Sequence, residues 1–418
     1  MASTDNIAVP QATCRACYAP LQRSFVDLGM SPLCESYIGP HQLDDPEVFY
    51  PLHALVCERC LLVQLKEYVP PADIFSDYAY FSSYSDSWVQ HARRYTEAVV
   101  DRFGLSGESL VIEIASNDGY LLQHFMERGI PCRGIEPAAN VAQVAVSQGI
   151  PTDVRFFGSA VAEELVSQSA RPNLIIGNNV LAHVPELNDF IAGMKTLLHT
   201  DGVITMEFPH LRQLMAQNQF DTIYHEHFSY LSLKVVEECF ARHGLELFDV
   251  EELPTHGGSL RIYARHVGAA GEPESDRLIE LRRSEQAEGF DQLDTYTGFA
   301  VQVNEVKRKL LEFLIDARAA GESVVGYGAP GKGNTLLNYC GIRTDLLDYT
   351  VDRSPHKQGL YTPGTHIPIH HPDEIYRTRP RYVLILPWNL ADEISYQLAG
   401  IREWGGEFVV PIPEVRVL

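Results

Sequence analysis

From Leu110 onward the chain alternates short apolar runs with amphipathic ones, and few folds satisfy that order. "LVIEIA", "PCRGIEP", "NLIIGNNV" and "GVITMEFP" read as buried strands. Between them, "GYLLQHFMERG", "ANVAQVAVSQG" and "PELNDFIAGMKTLL" read as helices. Strand–helix–strand succession with short links predicts a parallel sheet with right-handed crossovers. A second run, "SVVGYG", "DYTVD", "YVLILPW" and "EFVVPIP", predicts another α/β lobe near the C-terminus. The polar stretch from Glu272 to Ala320 reads as a largely helical connector.

Before Leu110 the texture differs. Residues 1–68 hold turns and short strand-like runs, with "FYPLHALVCERCLLVQL" reading as a hairpin. Cys14-Arg-Ala-Cys17 and Cys57-Glu-Arg-Cys60 are two CxxC knuckles, separated by residues 18–56. Each knuckle offers two thiolates on one tight turn, so Cys14, Cys17, Cys57 and Cys60 suit a tetrahedral zinc. Four protein ligands leave no open position, which makes that zinc structural, bracing a lobe with little core of its own. Cys34, Cys132, Cys239 and Cys340 have no such pairing and read as small buried apolar residues. The expected division is therefore a zinc lobe at 1–68, an α/β lobe at 69–268, and the connector with a second α/β lobe at 269–418.

Composition narrows the partners. The 418 residues carry a net charge of −22, which disfavours nucleic acid and anionic membranes. No apolar run reaches membrane-spanning length and the first residues lack a signal-peptide pattern, so the expected compartment is the reducing cytosol. Oligomeric state stays open.

The turn after the first strand, "EIASNDGYLL", holds Glu113, Ala115, Asn117, Asp118 and Gly119. Glu136 closes the next strand, where a carboxylate can accept from both ribose hydroxyls of a nucleoside. Asp118 would repel a pyrophosphate, so a ligand with a cationic or neutral linker fits better than a dinucleotide. The small residues of the turn are expected to let it approach the backbone. This pattern resembles the S-adenosylmethionine fold of class I methyltransferases, with Ala115 where many of them have Gly. Asn178, ending the third strand, joins Glu113, Ala115, Asn117, Asp118, Gly119 and Glu136 as a candidate cofactor residue.

"FDTIYHEHFSYLS" (residues 220–232) gathers two histidines and a glutamate among aromatics. Together with the CxxC knuckles, "NNVLAHVP", "PTHGGSLR", "GYGAPGKGNTLLNYCGI", "VDRSPHKQGLYTPGTHIPI" and "WGGEFVVPIPE", it resembles the sugar C-methyltransferase family, enzymes that methylate a carbon of nucleotide-linked ketosugars. The resemblance covers nearly the whole chain. It implies His227 as general base, with Tyr224, His225 and Glu226 completing the motif and Asn179 and His183 lining the site. Glu226 is expected to orient the imidazole, and Tyr224, His183 and Asn179 to hydrogen-bond an enolate oxygen or sugar hydroxyls. The implied substrate is a 4-keto-6-deoxy sugar on dTDP, with GDP as the other carrier, methylated at C3. Methylation on oxygen is the alternative within the same chemistry.

Other candidates meet the substrate. Tyr78, Tyr80, Phe81, Ser82 and Ser83 form an aromatic and hydroxyl-rich loop suited to a base and phosphates, or a packed linker. His256 and Arg261 flank a Gly-Gly turn that reads equally as a hairpin. In "VVGYGAPGKGNT", Gly326, Gly328 and Gly331 match GxGxxG after a strand, but Pro330 removes a donor from the would-be phosphate nest. The expectation is a degenerate nucleotide lobe touching substrate phosphates through Lys332; the competing reading is an NAD-dependent sugar dehydrogenase built on this lobe. A zinc-ribbon binding protein without activity is the third reading, disfavoured by the titratable cluster.

Overall fold

The computed structural model describes residues 12–75 and 81–418 and contains three sheets. The N-terminal sheet is antiparallel, in the order β1 (Arg23–Ser31), β2 (Tyr50–Val56), β3 (Val63–Gln64), β9 (Ser229–Tyr230). The hairpin read in the sequence is present, with the second CxxC knuckle as its turn. The fourth strand is unexpected. It comes from the histidine-rich motif, so that motif is stitched edge-on to the zinc lobe: Val63 pairs with Tyr230 and Gln64 with Ser229.

The central sheet has seven strands. Its parallel part comprises β4 (Val111–Ile114), β5 (Cys132–Ile135), β6 (Thr152–Asp153), β7 (Leu174–Asn178) and β8 (Val203–Pro209). A hairpin of β10 (Leu245–Leu253) and β11 (Ser259–His266) adds two antiparallel strands, with β11 against β8. The resulting order, β6-β5-β4-β7-β8-β11-β10, places β4 and β7 side by side at the switch point, where ligands bind beyond the carboxyl ends of the strands. Helices at Asp86–Phe103, Leu122–Met126, Ala139–Ser147, Ser159–Ser167, Leu187–Leu197 and Leu233–Arg242 flank it.

The C-terminal sheet runs β14 (Ile369–His370), β13 (Thr350–Val351), β12 (Val324–Tyr327), β15 (Tyr382–Ile385), β16 (Glu407–Val410), all parallel, closed by the antiparallel β17 (Arg416–Val417). The connector is helical at Asp276–Ala287, Leu293–Thr297 and Phe299–Ala319. Its last helix packs on β1, where Phe299 stacks on Phe25 at 4.7 Å. One hydrophobic cluster joins the zinc knuckles to the central sheet, and another joins β1 and β2 to the connector and the C-terminal sheet. The small N-terminal sheet therefore gains its stability by being sandwiched, as well as by its metal. Among the described residues, no helix is long and apolar enough to cross a membrane.

Candidate active site and metal centre

The four predicted metal ligands converge. The sulfurs of Cys14, Cys17, Cys57 and Cys60 all lie within 4.8 Å of one another, with Cys14–Cys60 and Cys17–Cys57 at 3.5 Å. Zinc–sulfur bonds of ~2.3 Å in a tetrahedron place sulfurs about 3.8 Å apart, so the spacing fits. Both knuckles use the same turn. Tyr18 N–H donates to the Cys14 carbonyl, and Leu61 N–H to that of Cys57; both closing residues have positive φ, 59° and 64°. Gln64 Nε2 donates to Cys14 Sγ at 3.1 Å, the kind of outer contact that steadies a thiolate ligand.

At the carboxyl end of β4, Glu113 is fully buried and neither carboxylate oxygen has a hydrogen-bond partner in the fold. Burial, then Glu136 and Asp118, push its carboxyl well above the usual range. Such a cluster accommodates a cation, and the sulfonium of S-adenosylmethionine is one. Glu136 accepts from Asn117 N–H at 2.9 Å and from Ala138 N–H at 2.8 Å, one bond per oxygen. A carboxylate has about four acceptor positions, so two remain for ribose hydroxyls. Ala115 has φ 57°, which explains why glycine is common there and costs an alanine about 1 kcal/mol. Gly119 has a backbone reason of its own. Its φ is 81°, a backbone conformation in which an L side chain is strained, so a glycine suits this position independently of any ligand. Asn178 Nδ2 reaches Tyr120 OH at 3.4 Å.

The loop ahead of the first helix is tied to this turn. Ser82 N–H donates to Asn117 Oδ1 and Ser83 N–H to Asp118 Oδ2, both at 3.0 Å, and Phe81 stacks on Tyr84. Tyr78 and Tyr80 lie outside the described residues.

Tyr224 to His227 form a turn just ahead of β9: His227 N–H donates to the Tyr224 carbonyl. Alternate histidines are thereby sent to different places. His227 Nδ1 lies 2.9 Å from the Thr222 carbonyl, which can only accept, so Nδ1 carries the proton and Nε2 keeps its lone pair. Burial first, then the neighbouring His183, hold His227 well below its usual pKa, as burial holds His183 at about 4. The two rings meet edge-on at 4.6 Å, and the Tyr224 ring lies 4.1 Å from His227. Both imidazoles are thus neutral at physiological pH.

Several sequence expectations are corrected here. His225 faces the zinc lobe, with Nε2 3.3 Å from the Pro51 carbonyl and its ring against Tyr50, so it is engaged away from His227. Glu226 does not orient the imidazole; the Thr222 carbonyl does. The Glu226 carboxyl instead meets Cys34 Sγ at 3.8 Å, and burial with Glu35 nearby raises it to about 7. Arg261 is not free for phosphate. It pairs with Glu207 at 2.6 Å and Glu251 at 2.8 Å, and lies over the Tyr95 ring. His256, at φ 54°, bonds Asn179 Nδ2 at 2.9 Å, which makes both part of one wall of the site.

Lys332, at the start of the helix Gly331–Cys340, reaches this region from the C-terminal lobe. Its ammonium bonds Asn389 Oδ1 at 2.7 Å and lies 4.9 Å from the Trp388 ring. Three contributors were not singled out in the sequence: Glu207 with His91, the carbonyl of Thr222, and the pair Asp221–Trp388. None has a spacing signature: Glu207–His91 and Asp221–Trp388 join distant segments, and Thr222 acts through a backbone carbonyl that every residue has.

Comparison with known proteins agrees with this layout. Residues 14–75 match the family described as "Putative zinc binding domain", residues 88–250 a methyltransferase domain, and residues 254–413 a C-methyltransferase C-terminal domain. The chain is 36% identical over 413 residues to the C-methyltransferase NovU of Streptomyces niveus, covering 99% of this chain and 98% of that one. Among solved structures, an S-adenosylmethionine-dependent methyltransferase from Clostridium acetobutylicum is 9% identical, over 43% of this chain and 92% of that one, with a TM-score of 0.35. The magnesium protoporphyrin IX methyltransferase of Synechocystis with bound SAM is 15% identical, over 46% and 88%, with a TM-score of 0.32. The chain belongs to the zinc-binding C-methyltransferase family and is an S-adenosylmethionine-dependent enzyme.

Proposed function

We propose that this enzyme methylates C3 of a nucleotide-linked 4-keto-6-deoxy sugar, with dTDP as the favoured carrier. The observation that carries the reading is the 2.9 Å contact of His227 Nδ1 with the Thr222 carbonyl, an acceptor that selects the Nδ1–H tautomer. An imidazole held as Nδ1–H, buried and neutral, presents an unprotonated Nε2 at neutral pH. That is the group required to take a proton from carbon next to a ketone. The C3–H bond breaks, its proton goes to Nε2, and its electron pair becomes the enolate. The enolate carbon then forms the new carbon–carbon bond, and the imidazolium returns its proton to solvent. S-adenosylmethionine supplies the methyl group and leaves as the thioether. His183 and Tyr224 flank the base, Asn179 bonds His256 in the adjoining wall, and all three are assigned to the enolate oxygen and sugar hydroxyls. Their neutral donors stabilise charge as it develops without fixing a full counter-ion in the ground state. Lys332 is assigned to the diphosphate.

Incubation in D₂O with the 4-ketosugar nucleotide, with and without S-adenosylmethionine, tests this reading. Deuterium should enter C3 without the cofactor and a methyl group should appear there with it. His227→Asn should bind both ligands while losing at least about a thousandfold in kcat. Methyl transfer without any carbon-bound exchange, in a variant of near-native rate, would move the chemistry to oxygen.

A further inference from the structure

The base is fixed by a carbonyl, and that carbonyl sits on a strap that the C-terminal lobe holds at two points. The strap is the turn at Phe220–Thr222 followed by Ile223. Asp221 is fully buried, and its Oδ2 accepts from Trp388 Nε1 at 2.7 Å across the two lobes. Two residues along, the Ile223 carbonyl accepts from Thr335 Oγ1 of the helix Gly331–Cys340 at 3.3 Å. Between these anchors lies Thr222, whose carbonyl accepts from His227 Nδ1–H.

Trp388 also braces the other wall. Gly257 has φ 89°, and a Cβ there would stand 2.8 Å from Trp388 Cη2 and 2.9 Å from Gln219 Nε2. Gln219 Nε2 donates to the Gly257 carbonyl at 2.6 Å, while the Gln219 carbonyl accepts from Thr222 Oγ1 at 2.7 Å. One indole thus touches the segment holding the base and the turn carrying His256, which bonds Asn179. Asp221 Oδ1 has no hydrogen-bond partner; the carboxyl is held by the indole together with the backbone N–H groups of Asp221 and Thr222, with the Lys332 ammonium nearby, and the indole is the side-chain donor that comes from the other lobe.

We propose that Trp388 and Asp221 are positioning residues, through which the C-terminal lobe sets the orientation of the Thr222 carbonyl and hence the Nδ1–H tautomer of His227. The inference rests on His227 being the base. Without the indole bond, the strap relaxes at Asp221, the carbonyl turns, and the imidazole loses the acceptor that distinguishes its nitrogens. The fraction with Nε2 unprotonated then falls.

Trp388→Phe keeps the ring and removes the donor; Asp221→Ala removes the acceptor; Asp221→Asn restores an acceptor oxygen. Each full-length, zinc-loaded variant would be read by nitrogen-15 NMR of labelled histidine, with the His227 signals assigned through His227→Asn. Zinc content and S-adenosylmethionine binding report folding independently. The expected result is one Nδ1–H tautomer in the parent, a mixed tautomer in Trp388→Phe and Asp221→Ala, and substantial recovery in Asp221→Asn. Turnover should follow, with kcat down on the order of tenfold and the KM for S-adenosylmethionine unchanged. Folded variants that keep the parent tautomer overturn the proposal, whatever their rate. A mixed tautomer with parental turnover supports the positioning but removes His227 as base, so the two readings fail separately. Should Trp388→Phe not fold, Asp221→Ala against Asp221→Asn decides the same question.

Discussion

Glu207→Gln is the substitution whose cost can be worked most directly from the structure. Glu207 is fully buried on β8. Burial would raise its carboxyl, but His91 at 2.9 Å, Arg261 at 2.6 Å and Thr255 at 2.9 Å reverse this and hold it at about 2. Against an ordinary value of 4.5, that depression corresponds to about 3 kcal/mol at neutral pH. Because the folded pKa is the lower one, this stability is present above about pH 4.5 and lost as pH falls towards 2. Glutamine preserves the shape and the Thr255 contact but leaves the Arg261 guanidinium with Glu251 alone. Removing one partner of a buried pair costs about 3–5 kcal/mol, since the other charge stays desolvated. Urea denaturation of the zinc-loaded protein at pH 7.5, in low and in half-molar salt, gives the test. We expect a loss of about 3 kcal/mol, the same at both salt concentrations, because buried pairs are poorly screened. A loss below about 1 kcal/mol, or one that disappears in salt, would refute the account of Arg261 as a structural cation.

The remaining expectations are simpler. Replacing Cys57 and Cys60 together with serine should abolish zinc binding and lower denaturation resistance sharply, as elemental analysis and a melt would report; a zinc-free variant with native stability would contradict a structural metal. The acid limb of kcat against pH should lie below pH 6.5, because burial depresses His227 and the base stays unprotonated until pH falls through that lowered value; a limb above pH 7 would indicate a different base. Glu113→Gln should weaken S-adenosylmethionine by about fivefold more than S-adenosylhomocysteine, since only the former is a cation attracted to the carboxylates. Calorimetry with both ligands would show it, and equal losses would place the sulfonium elsewhere.

What could be read from the chain was whatever is encoded by local repetition. The β/α alternation gave β4, β5, β7 and β8 because buried parallel strands are continuous apolar runs bounded by turns, and it missed β6, two polar residues with no such run. The CxxC pairs converged because each pair is a self-contained turn. The destinations of individual polar side chains were not legible. Arg261 looked available beside a Gly-Gly turn, yet its partners Glu207 and Glu251 lie on the two strands that flank β11. Glu226 follows His225 in sequence, but the turn sends it to Cys34, in the zinc lobe. The partner that does fix His227 is a backbone carbonyl, and every residue has one, so no pattern of side chains could disclose it.

The glycine-rich turn after β12 shows how a nucleotide-like motif can serve another purpose. Its pattern matches GxGxxG, and β12 and β15 meet at the switch point where such a lobe would hold a pyrophosphate. Yet Ala329 N–H is already given to Asp352 Oδ2 at 2.7 Å, and Pro330 has no N–H to give. The Ala329 carbonyl accepts from Tyr37 OH at 2.5 Å and from Lys357 Nζ at 2.9 Å. A Cβ on Gly331 would stand 2.9 Å from Cys34 Sγ, and Asn334 Nδ2 bonds the Cys34 carbonyl. One donor that would cradle a dinucleotide is spent on Asp352, another is missing at Pro330, the turn is packed against a segment of the zinc lobe, and Asp352, which would meet a ribose, is spent on the turn itself. That argues against hydride chemistry in this lobe. It also explains Gly331: its missing Cβ lets Cys34 and Glu35 seat against the lobe, while Gly326 and Gly328 make room for Thr350 and Pro387, and the helix that Gly331 opens carries Thr335 to the strap that holds the base.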